Sequence, residues 1–398
     1  MRISTAHAHD AAIDTLMKRQ VELTDLQAQL TTGKRVAKAS DDPAAAARAE
    51  RALAGELRAD TSQRAVEASR TVMSQTESAM SDAENLLQEA REGIVAAGNA
   101  SYSDAERSAL AAKLRAIRTQ LLGVANRTDG AGTYLFGGQS ASAVPFVDAA
   151  GGVTYQGLSG DVRTEGGTDL PLSADGSSIF MSARTGNGVY QTSAGAGVTG
   201  AWIDNGQVSD PSALTGSTYT LQFSVSGGAT TYAILKDGNP TAVTAAPYTS
   251  GQDIAVDGMN FKISGSPANG DTFTAAPSTP TLSVFDTLDR AIAGLGTPGR
   301  TTAQIAQGNT DALRDIDQSM GQLQRARAVA GEVLARIEHE TSRLDTQRLA
   351  NQTERSRAED LDMTQAISEF QNRQTGYDAA LKSYSMVQRL SLFQYLNS

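Results

Sequence analysis

The 398-residue sequence carries 44 acidic and 34 basic side chains, a net charge of −10, and no cysteine. The acidic balance argues against nucleic-acid binding as the main activity, because surfaces that bind phosphate backbones carry clustered basic residues. The absence of cysteine excludes a disulfide framework, a thiolate metal site and a cysteine nucleophile. The N-terminus lacks the apolar stretch of a cleavable signal peptide, and no run of about 18 apolar residues predicts a membrane span.

The composition changes twice along the chain. Both ends are rich in Ala, Leu, Arg, Glu and Gln, whereas the middle is rich in Gly, Thr, Ser and Val. This pattern predicts a mainly α protein with an inserted β module, in which long antiparallel coiled-coil helices pair the N- and C-terminal segments. The predicted divisions are a terminal coiled-coil domain (1–33 with 361–398), a helical rod (34–136 with 281–360) and a β-rich insert (137–280) of one module or two (137–195 and 200–280).

The first predicted helix ends at a corner, "GKRVAKASDDP". Gly33 lies where a helix that ends near residue 32 needs a left-handed residue. Asp42 directly precedes Pro43, which is favoured at the first position of a helix, so the Asp42 carboxylate is predicted to cap the next helix. Ser40 or Asp41 would take that role if the boundary shifts by one residue.

Two helices with coiled-coil spacing follow and form a predicted hairpin around the turn "GNASYSD". Apolar residues recur at every seventh position of the first of them: Val66, Met73, Met80, Leu87 and Ile94. Most such stripes are core within one chain, and this is the interpretation adopted for 62–127 and 310–350.

The insert alternates apolar and polar residues in segments that predict strands, such as "STYTLQFSVSG" and "IAVDGMNFKISG". The dipeptides Asp237-Gly238 and Asp257-Gly258 predict tight hairpin turns. The earlier segments "GVTYQGLSGDVRT" and "SSIFMSA" are also predicted as strands. The glycine-rich stretch "DGAGTYLFGGQ" (129–139) has no lysine and is interpreted as a flexible crossing from helix to insert rather than a phosphate-binding loop.

The two ends of the chain form a third predicted helical pair. Each has an apolar seam that includes glutamine and few charges, and an isolated helix of this kind has too few partners to stay ordered. We therefore expect the ends to become stable helices only against neighbouring copies. The residues predicted to carry this assembly are Ile13, Leu16, Leu23, Leu30, Phe370, Tyr377, Leu381, Leu390, Phe393 and Leu396.

No pattern in the sequence predicts catalysis, a cofactor or a metal. Asp41 and Asp42 have no companion histidine or glutamate cluster. His7 and His9 would point to different faces of a helix, and His339 stands among charged residues. The sequence contains no metalloprotease, phosphate-loop, dinucleotide-binding or nucleophile-elbow motif.

Both ends of the sequence resemble the flagellin superfamily of bacterial flagellar axial proteins. The corner "TTGKRVAKASDDPAA" is similar to the N-terminal signature of that superfamily, and "RAEDLDMTQAISEFQNRQTGYDAALKSYSMVQRLSLFQYL" is similar to its C-terminal helix. Within the superfamily, "MRIST" and "GTYLFGG" look more like the hook–filament junction branch than like filament flagellin. The resemblance covers about 1–140 and 281–398, and the insert is only loosely similar.

The resemblance implies a structural protein in which both termini form an inner coiled coil and the insert faces outward. It also implies export through the flagellar type III channel without signal cleavage, to an extracellular place in the flagellum. The implied partners are other copies of the chain, the proximal hook-associated protein type 1, flagellin and a cytoplasmic export chaperone. No nucleic acid or membrane is implied.

Three alternatives stay open at this stage. The chain could be a filament flagellin, which abundance in sheared flagella would reveal. It could be an enzyme borne on the flagellum with an activity in the insert, although 140–280 lacks a cluster of histidine, cysteine or glutamate. A coiled-coil adhesin is a third possibility, for which a cleavable signal or membrane anchor would be expected.

Overall fold

The structure, a computed structural model, describes residues 5–99, 101–164 and 169–396, and of residues 5, 6, 8 and 388–396 it describes the backbone alone. The chain divides into two compact units. The first consists of Met1–Arg64 together with Glu340–Ser398, and the second of Ala65–His339. The helices are α1 (Thr5–Thr32), α2 (Pro43–Ala97), α3 (Asp104–Ala125), α4 (Gly176–Phe180), α5 (Val284–Gly296), α6 (Thr302–Glu359) and α7 (Met363–Leu396), with a 3₁₀ turn at Pro211–Ala213.

The strands form a hairpin and two antiparallel sheets. They are β1 (Phe146–Ala149), β2 (Gly152–Tyr155), β3 (Tyr190–Ala194), β4 (Ala201–Ile203), β5 (Gln207–Val208), β6 (Tyr219–Ser226), β7 (Ala229–Lys236), β8 (Asn239–Pro240), β9 (Ala246–Pro247), β10 (Asp253–Val256), β11 (Met259–Gly265) and β12 (Thr272–Pro277). One sheet has the order β3-β12-β6-β7-β8, with β9 also on β7, and the other has the order β10-β11-β4, with β5 also on β11. The predicted class, mainly α with an inserted β module, is confirmed.

The helical core of the second unit is built from the predicted heptad positions. Residues 66, 73, 80, 87 and 94 of α2 are all at most 4% exposed. They belong to or adjoin a core that α3, α5 and α6 complete. Ser103 begins α3 with a capping box: its hydroxyl accepts from the Glu106 amide, and the Glu106 carboxylate accepts from the Ser103 amide. The intramolecular interpretation of this seam is therefore correct.

The start of the insert is largely irregular rather than strand. The prediction that "SSIFMSA" is a strand is wrong, because Asp175 accepts a hydrogen bond from the Ser177 amide (3.0 Å) and so begins the short helix α4. Of "GVTYQGLSGDVRT", only Gly152–Tyr155 forms a strand. Tertiary packing on the helical core outweighed the local strand propensity here.

The stretch "DGAGTYLFGGQ" is not simply a flexible crossing, because it contributes to the core. Phe136 is fully buried and packs edge-on against Phe180, with ring centroids 5.1 Å apart. Gly138 has φ +61°, and a Cβ there would overlap the carbonyl oxygen of Leu158. This glycine is therefore required by both conformation and space.

The rest of the insert has its own core between the two sheets, with Leu221, Phe223 and Phe273 among its fully buried side chains. The two predicted hairpin turns are confirmed: β7 pairs with β8 across Asp237-Gly238, and β10 with β11 across Asp257-Gly258. All four turn residues have positive φ, which the type I′ hairpin requires. Strand β3 pairs with β12 and so belongs to this sheet.

Polar side chains of α6 hold this sheet module. Gln307 accepts from the Ile203 amide (2.8 Å), and Arg314 donates to the Thr192 carbonyl (3.1 Å). Arg314 also pairs with Asp315 (2.9 Å), and both side chains are about 96% buried. Asp311 lies 2.8 Å from Arg314, and Arg290 lies 2.9 Å from Asp315. A network of charges centred on the buried Arg314–Asp315 pair thus fixes the module against α6.

Candidate assembly surface

The first corner is built as the residue types of "GKRVAKASDDP" require. Helix α1 ends at Thr32, Gly33 has φ +70°, and its amide donates to the Gln29 carbonyl (2.8 Å). The Asp42 carboxylate accepts from the Ala45 amide (3.0 Å) at the start of α2, where Pro43 is the first residue. Asp41 instead accepts from the amides of residues 37 and 38, at 3.0 and 2.8 Å. The two carboxylates therefore accept hydrogen bonds from backbone amides of the corner and of the first turn of α2.

The electrostatics of these carboxylates agree with that role. The hydrogen bond from the Lys38 amide lowers the pKa of Asp41, and those from Ala45 and then Arg35 lower the pKa of Asp42. Within the described residues, no group of three or more His, Cys, Asp or Glu side chains is placed to hold a metal ion. In the same part of the chain, no helix has the length and apolar character that crossing a membrane requires.

The stabilising effect of the Asp42 cap should depend on pH in a defined direction. Because the pKa of Asp42 is lower in the folded chain, its stabilising effect is present above its ordinary pKa of 3.8 and is lost as pH falls through the folded value. We expect Asp42→Ala to speed hydrogen exchange of the amides at residues 44–46 at pH 7, whereas Asp42→Asn, which keeps an acceptor, leaves it nearly unchanged. Equal exchange in both variants would contradict the capping role.

A second corner, which the sequence reasoning did not single out, faces the first. Helix α6 ends at Glu359, and Asp362 begins α7 by accepting from the amides of Thr364 (3.0 Å) and Gln365 (3.1 Å). The signal was present in "EDLDMTQ" as an Asp just before an apolar-periodic run. It was overlooked because no proline or glycine marks this helix end.

Main-chain bonds tie the two corners together. The Leu361 amide donates to the Gly33 carbonyl (2.9 Å), and the Arg35 amide donates to the Glu359 carbonyl (2.7 Å). Lys34 and Glu359 add an ion pair at 3.1 Å. The end of α1 and the start of α7 are therefore positioned by the same short segment of paired backbone.

Beyond the corners, α1 and α7 run antiparallel and contact each other through partly exposed side chains. Arg19 donates to the Gly376 carbonyl (2.8 Å), and Glu22 pairs with Arg373 (2.9 Å). Near the far end, the rings of His9 and Tyr384 stack with centroids 5.4 Å apart. Exposed contacts of this kind contribute about 0–1 kcal/mol each, so they align the helices more than they stabilise them.

The apolar seam of this helical pair is incompletely buried. Among the side chains of α1 and α7 that the structure describes, Leu26 (7% exposed) and Ala366 (3%) are the buried ones. Most residues predicted to carry assembly are half-buried, namely Ile13, Leu16, Leu23, Leu30, Phe370 and Tyr377, while Leu381 is exposed. The side chains of Leu390, Phe393 and Leu396 lie outside the described residues.

Further apolar side chains, which the sequence reasoning missed, are turned away from the pair. Met17 and Val21 are each 59% exposed, one turn apart on α1, and Met386 and Val387 of α7 are more than 60% exposed. The i, i+4 spacing of the α1 residues was the available signal for a second stripe. Met17 and Val21 share one face of α1, and exposed apolar side chains that lie together are candidates for contact with other molecules. We call the exposed residues Met17, Val21, Ile367, Leu381, Met386 and Val387 the outer stripe.

The fold defines a class: a mainly helical protein whose N- and C-terminal helices pair and flank a β module, as in the flagellin-like axial proteins. The comparisons with known proteins agree. Residues 3–141 match the bacterial flagellin N-terminal helical region, residues 313–396 match the flagellin C-terminal helical region, and residues 193–277 match a D2-like domain of flagellar hook-associated protein 1.

Individual relatives point to one family within this class of proteins. FlgL of Xanthomonas campestris is 30% identical, with 76% of this chain and 99% of that chain covered and a TM-score of 0.68. Flagellar hook-associated protein 3 of Escherichia coli is 27% identical over 99% of both chains. The protein of the same name from Salmonella typhimurium is 34% identical over 46% of this chain, and the match spans 57% of that protein.

The chain belongs to the flagellin superfamily and, within it, to the family of hook-associated protein 3, the structural protein of the flagellar hook–filament junction. The resemblance predicted from both ends of the sequence is thereby confirmed, and its place is the bacterial flagellum.

Proposed function

We propose that this chain polymerises as a short layer on the distal end of the hook and forms the base on which flagellin assembles. The observation that carries the proposal is the α1–α7 pair, whose seam is half-buried and whose outer stripe is exposed within a single chain. Neighbouring copies that cover the stripe would supply the apolar burial that one chain lacks.

The mechanism follows from this incomplete burial. In the monomer, α1 and α7 gain little from each other, so the order of these helices depends on contacts with neighbours. In the layer, each pair packs against adjacent pairs along the axis and couples subunits mechanically. The double corner keeps the two helices in register while the rest of the chain retains its own fold, and the layer transmits torque from a bending hook to a stiffer filament.

The proposed partners are the chain itself, hook-associated protein type 1 on the hook side and flagellin on the filament side. An export chaperone would cover the C-terminal helix beforehand, and the chain would leave through the flagellar type III channel without signal cleavage to its extracellular place. The exposed α7 residues Met386 and Val387 support this, since an uncovered apolar stripe favours aggregation in the cytoplasm.

We also propose that the chain is not an enzyme. The shifted groups in the described part of the insert have structural causes: burial raises the pKa of Tyr190 to about 12, and Lys236 lowers the pKa of Asp257. Relatives are structural flagellar proteins. Absence of hydrolase activity in the full chain is the expected result, and turnover that a substitution in the insert abolishes would contradict it.

The division into a terminal coiled-coil domain (1–33 with 361–398), a rod (34–136 with 281–360) and an insert (137–280) is proposed as the functional organisation. The helix breaks at 33–42 and 360–362 support the outer boundary, because chain flexibility concentrates where helices end. In this organisation the terminal domain carries assembly and the insert faces outward.

A deletion strain tests the proposed function. We expect hooks without filaments and flagellin released as monomer, and the wild-type gene should restore filaments. Complementation with Val21→Asp should fail: a charge in a covered apolar contact costs several kcal/mol, and each 1.4 kcal/mol weakens association about tenfold. Filaments are counted by electron microscopy, and secreted flagellin by immunoblot.

The matched control is Val225→Asp, which places the same charge on an exposed valine of β6 (39% exposed). It should restore filaments fully. Normal filaments in the deletion strain itself would refute the junction role. Normal filaments with Val21→Asp alone would instead leave the role intact and refute the outer stripe as its surface.

A further inference from the structure

The buried Arg107 and the half-buried Arg300 lie at a small cavity at one end of the helical core of the second unit. The cavity has a volume of about 40 Å³ and is walled by the end of α2, the start of α3, α5 with the loop after it, and the start of α6. Arg107 and Arg300 both line it. Its size admits two or three waters or one halide ion and excludes nucleotides and metabolites.

Arg107 is 6% exposed, and only part of its guanidinium group is hydrogen-bonded. Its Nη1 donates to the Ala97 carbonyl (2.7 Å) and its Nη2 to the Tyr102 carbonyl (2.8 Å). Its Nε is buried and makes no hydrogen bond to the part of the chain that the structure describes. A charged donor left unpaired in a buried site is costly, so this N–H group needs an acceptor.

Arg300, which also lines the cavity, is half-buried. Its guanidinium donates to the carbonyls of Gly294 (3.1 Å) and Gln304 (2.6 Å). Burial, and then the positive charge of Arg107, lower the pKa of Arg300. The partial negative charge at the C-terminal end of α5, where Gly294 lies, offsets only part of two full positive charges.

The nearby carboxylates offset little of this charge: the Glu106 carboxylate interacts with Arg107 through space, but its Oε2 accepts from Ser103. Within the described residues, neither guanidinium forms an ion pair, and Asp104 at the cavity wall uses its Oδ2 to accept from the Gly299 amide (3.0 Å). Arg290, which also lines the cavity, is paired with Asp315. Asn309 lines it too, with its Oδ1 buried and without a partner in the described part, and a half-turn of that amide would offer Nδ2 instead.

We propose that this cavity binds a small monovalent inorganic anion of chloride size, held by Arg107 Nε and the Arg300 guanidinium. The N–H groups of two guanidinium ions can donate charge-assisted hydrogen bonds to such an anion. The ion would join the turn between α2 and α3 to the turn between α5 and α6. Because it binds only the folded chain, it would stabilise that end of the core by mass action.

Thermal unfolding of the full chain tests the site, with sodium chloride exchanged for sodium gluconate at constant ionic strength. We expect the wild-type Tm to rise saturably with chloride by roughly 3–8 °C. Arg300→Met should lose the response, whereas Arg357→Met, an exposed arginine of α6, should keep it. If Arg300→Met does not fold, chlorine-35 relaxation on the wild-type chain, with competition by bromide, measures binding directly.

Crystals grown with bromide locate the ion by anomalous scattering. A peak beside Arg107 Nε together with an anion-specific Tm rise supports the site. A peak without that rise identifies an adventitious ion only and overturns the proposal, as does a Tm rise whose bromide peak lies elsewhere. Identical Tm values in chloride and gluconate, with no bromide peak, would show that water and not an anion fills the cavity. That result also overturns the proposal.

Discussion

Replacing Arg314 by methionine should destabilise the second unit by about 3–5 kcal/mol, because it removes one partner from a buried ion pair. Arg290 would remain as the only cation paired with Asp315, and the half-buried Asp311 would lose its ion pair with Arg314. The hydrogen bond to the Thr192 carbonyl would also disappear, loosening β3 from α6. Trp202, the single tryptophan, lies on β4 and reports unfolding by fluorescence in urea.

The loss should depend on pH in a definite direction. Burial raises the pKa of Asp311 above its ordinary value of 3.8, and removal of Arg314 raises it further. A carboxyl group with a raised folded pKa costs no stability below its unfolded pKa and costs progressively more as pH rises through the folded value. The difference between variant and wild type should therefore be smaller near pH 4 than at pH 7.

The control is Arg91→Met, which removes a surface pair with Asp317 (2.7 Å) of similar geometry. We expect a change of at most about 1 kcal/mol there. The double variant Arg314→Met with Asp315→Leu should recover part of the loss, because it also removes the buried Asp315 carboxylate, which Arg290 alone pairs only in part. A loss for Arg314→Met no greater than for Arg91→Met would show that the buried network does not hold the module.

The second large effect concerns the terminal helices. In the dilute full chain we expect amides of α1 and α7 to exchange with deuterium almost as fast as in an unfolded peptide. In the assembled layer the same amides should be protected about a thousandfold more, equivalent to roughly 4 kcal/mol. The physical reason is that a half-buried seam and exposed ion pairs do not offset the entropy of ordering two long helices.

Helix α3 provides the internal reference for this measurement. Its apolar face is buried within the second unit, so its amides should be protected equally in both states. Hydrogen exchange with mass spectrometry resolves the three helices in one experiment. Firm protection of both α1 and α7 in the monomer would contradict the proposal that assembly orders them.

The local patterns of this sequence predicted much of its secondary structure. The heptads of α2, the two Asp-Gly turns and the change from helical to strand periodicity depend on neighbours only a few residues away, so they are legible in a single sequence. The capping chemistry of Asp42 before Pro43 is local in the same sense. The local pattern was misleading at 176–180. This segment has a strand-like composition but forms a short helix, whose Phe180 packs among aromatic rings of the core.

What the sequence determined by itself was the alternation of elements, the identity of the seam residues and the resemblance at both ends. The tertiary structure alone decided which residues of that seam face inward, that β3 pairs with β12, and that the two corners meet at Gly33 and Leu361. It also decided that Arg314 finds a buried carboxylate while Arg107 finds only carbonyls. Pairings between residues far apart in sequence depend on which surfaces packing brings together, and no local periodicity encodes that.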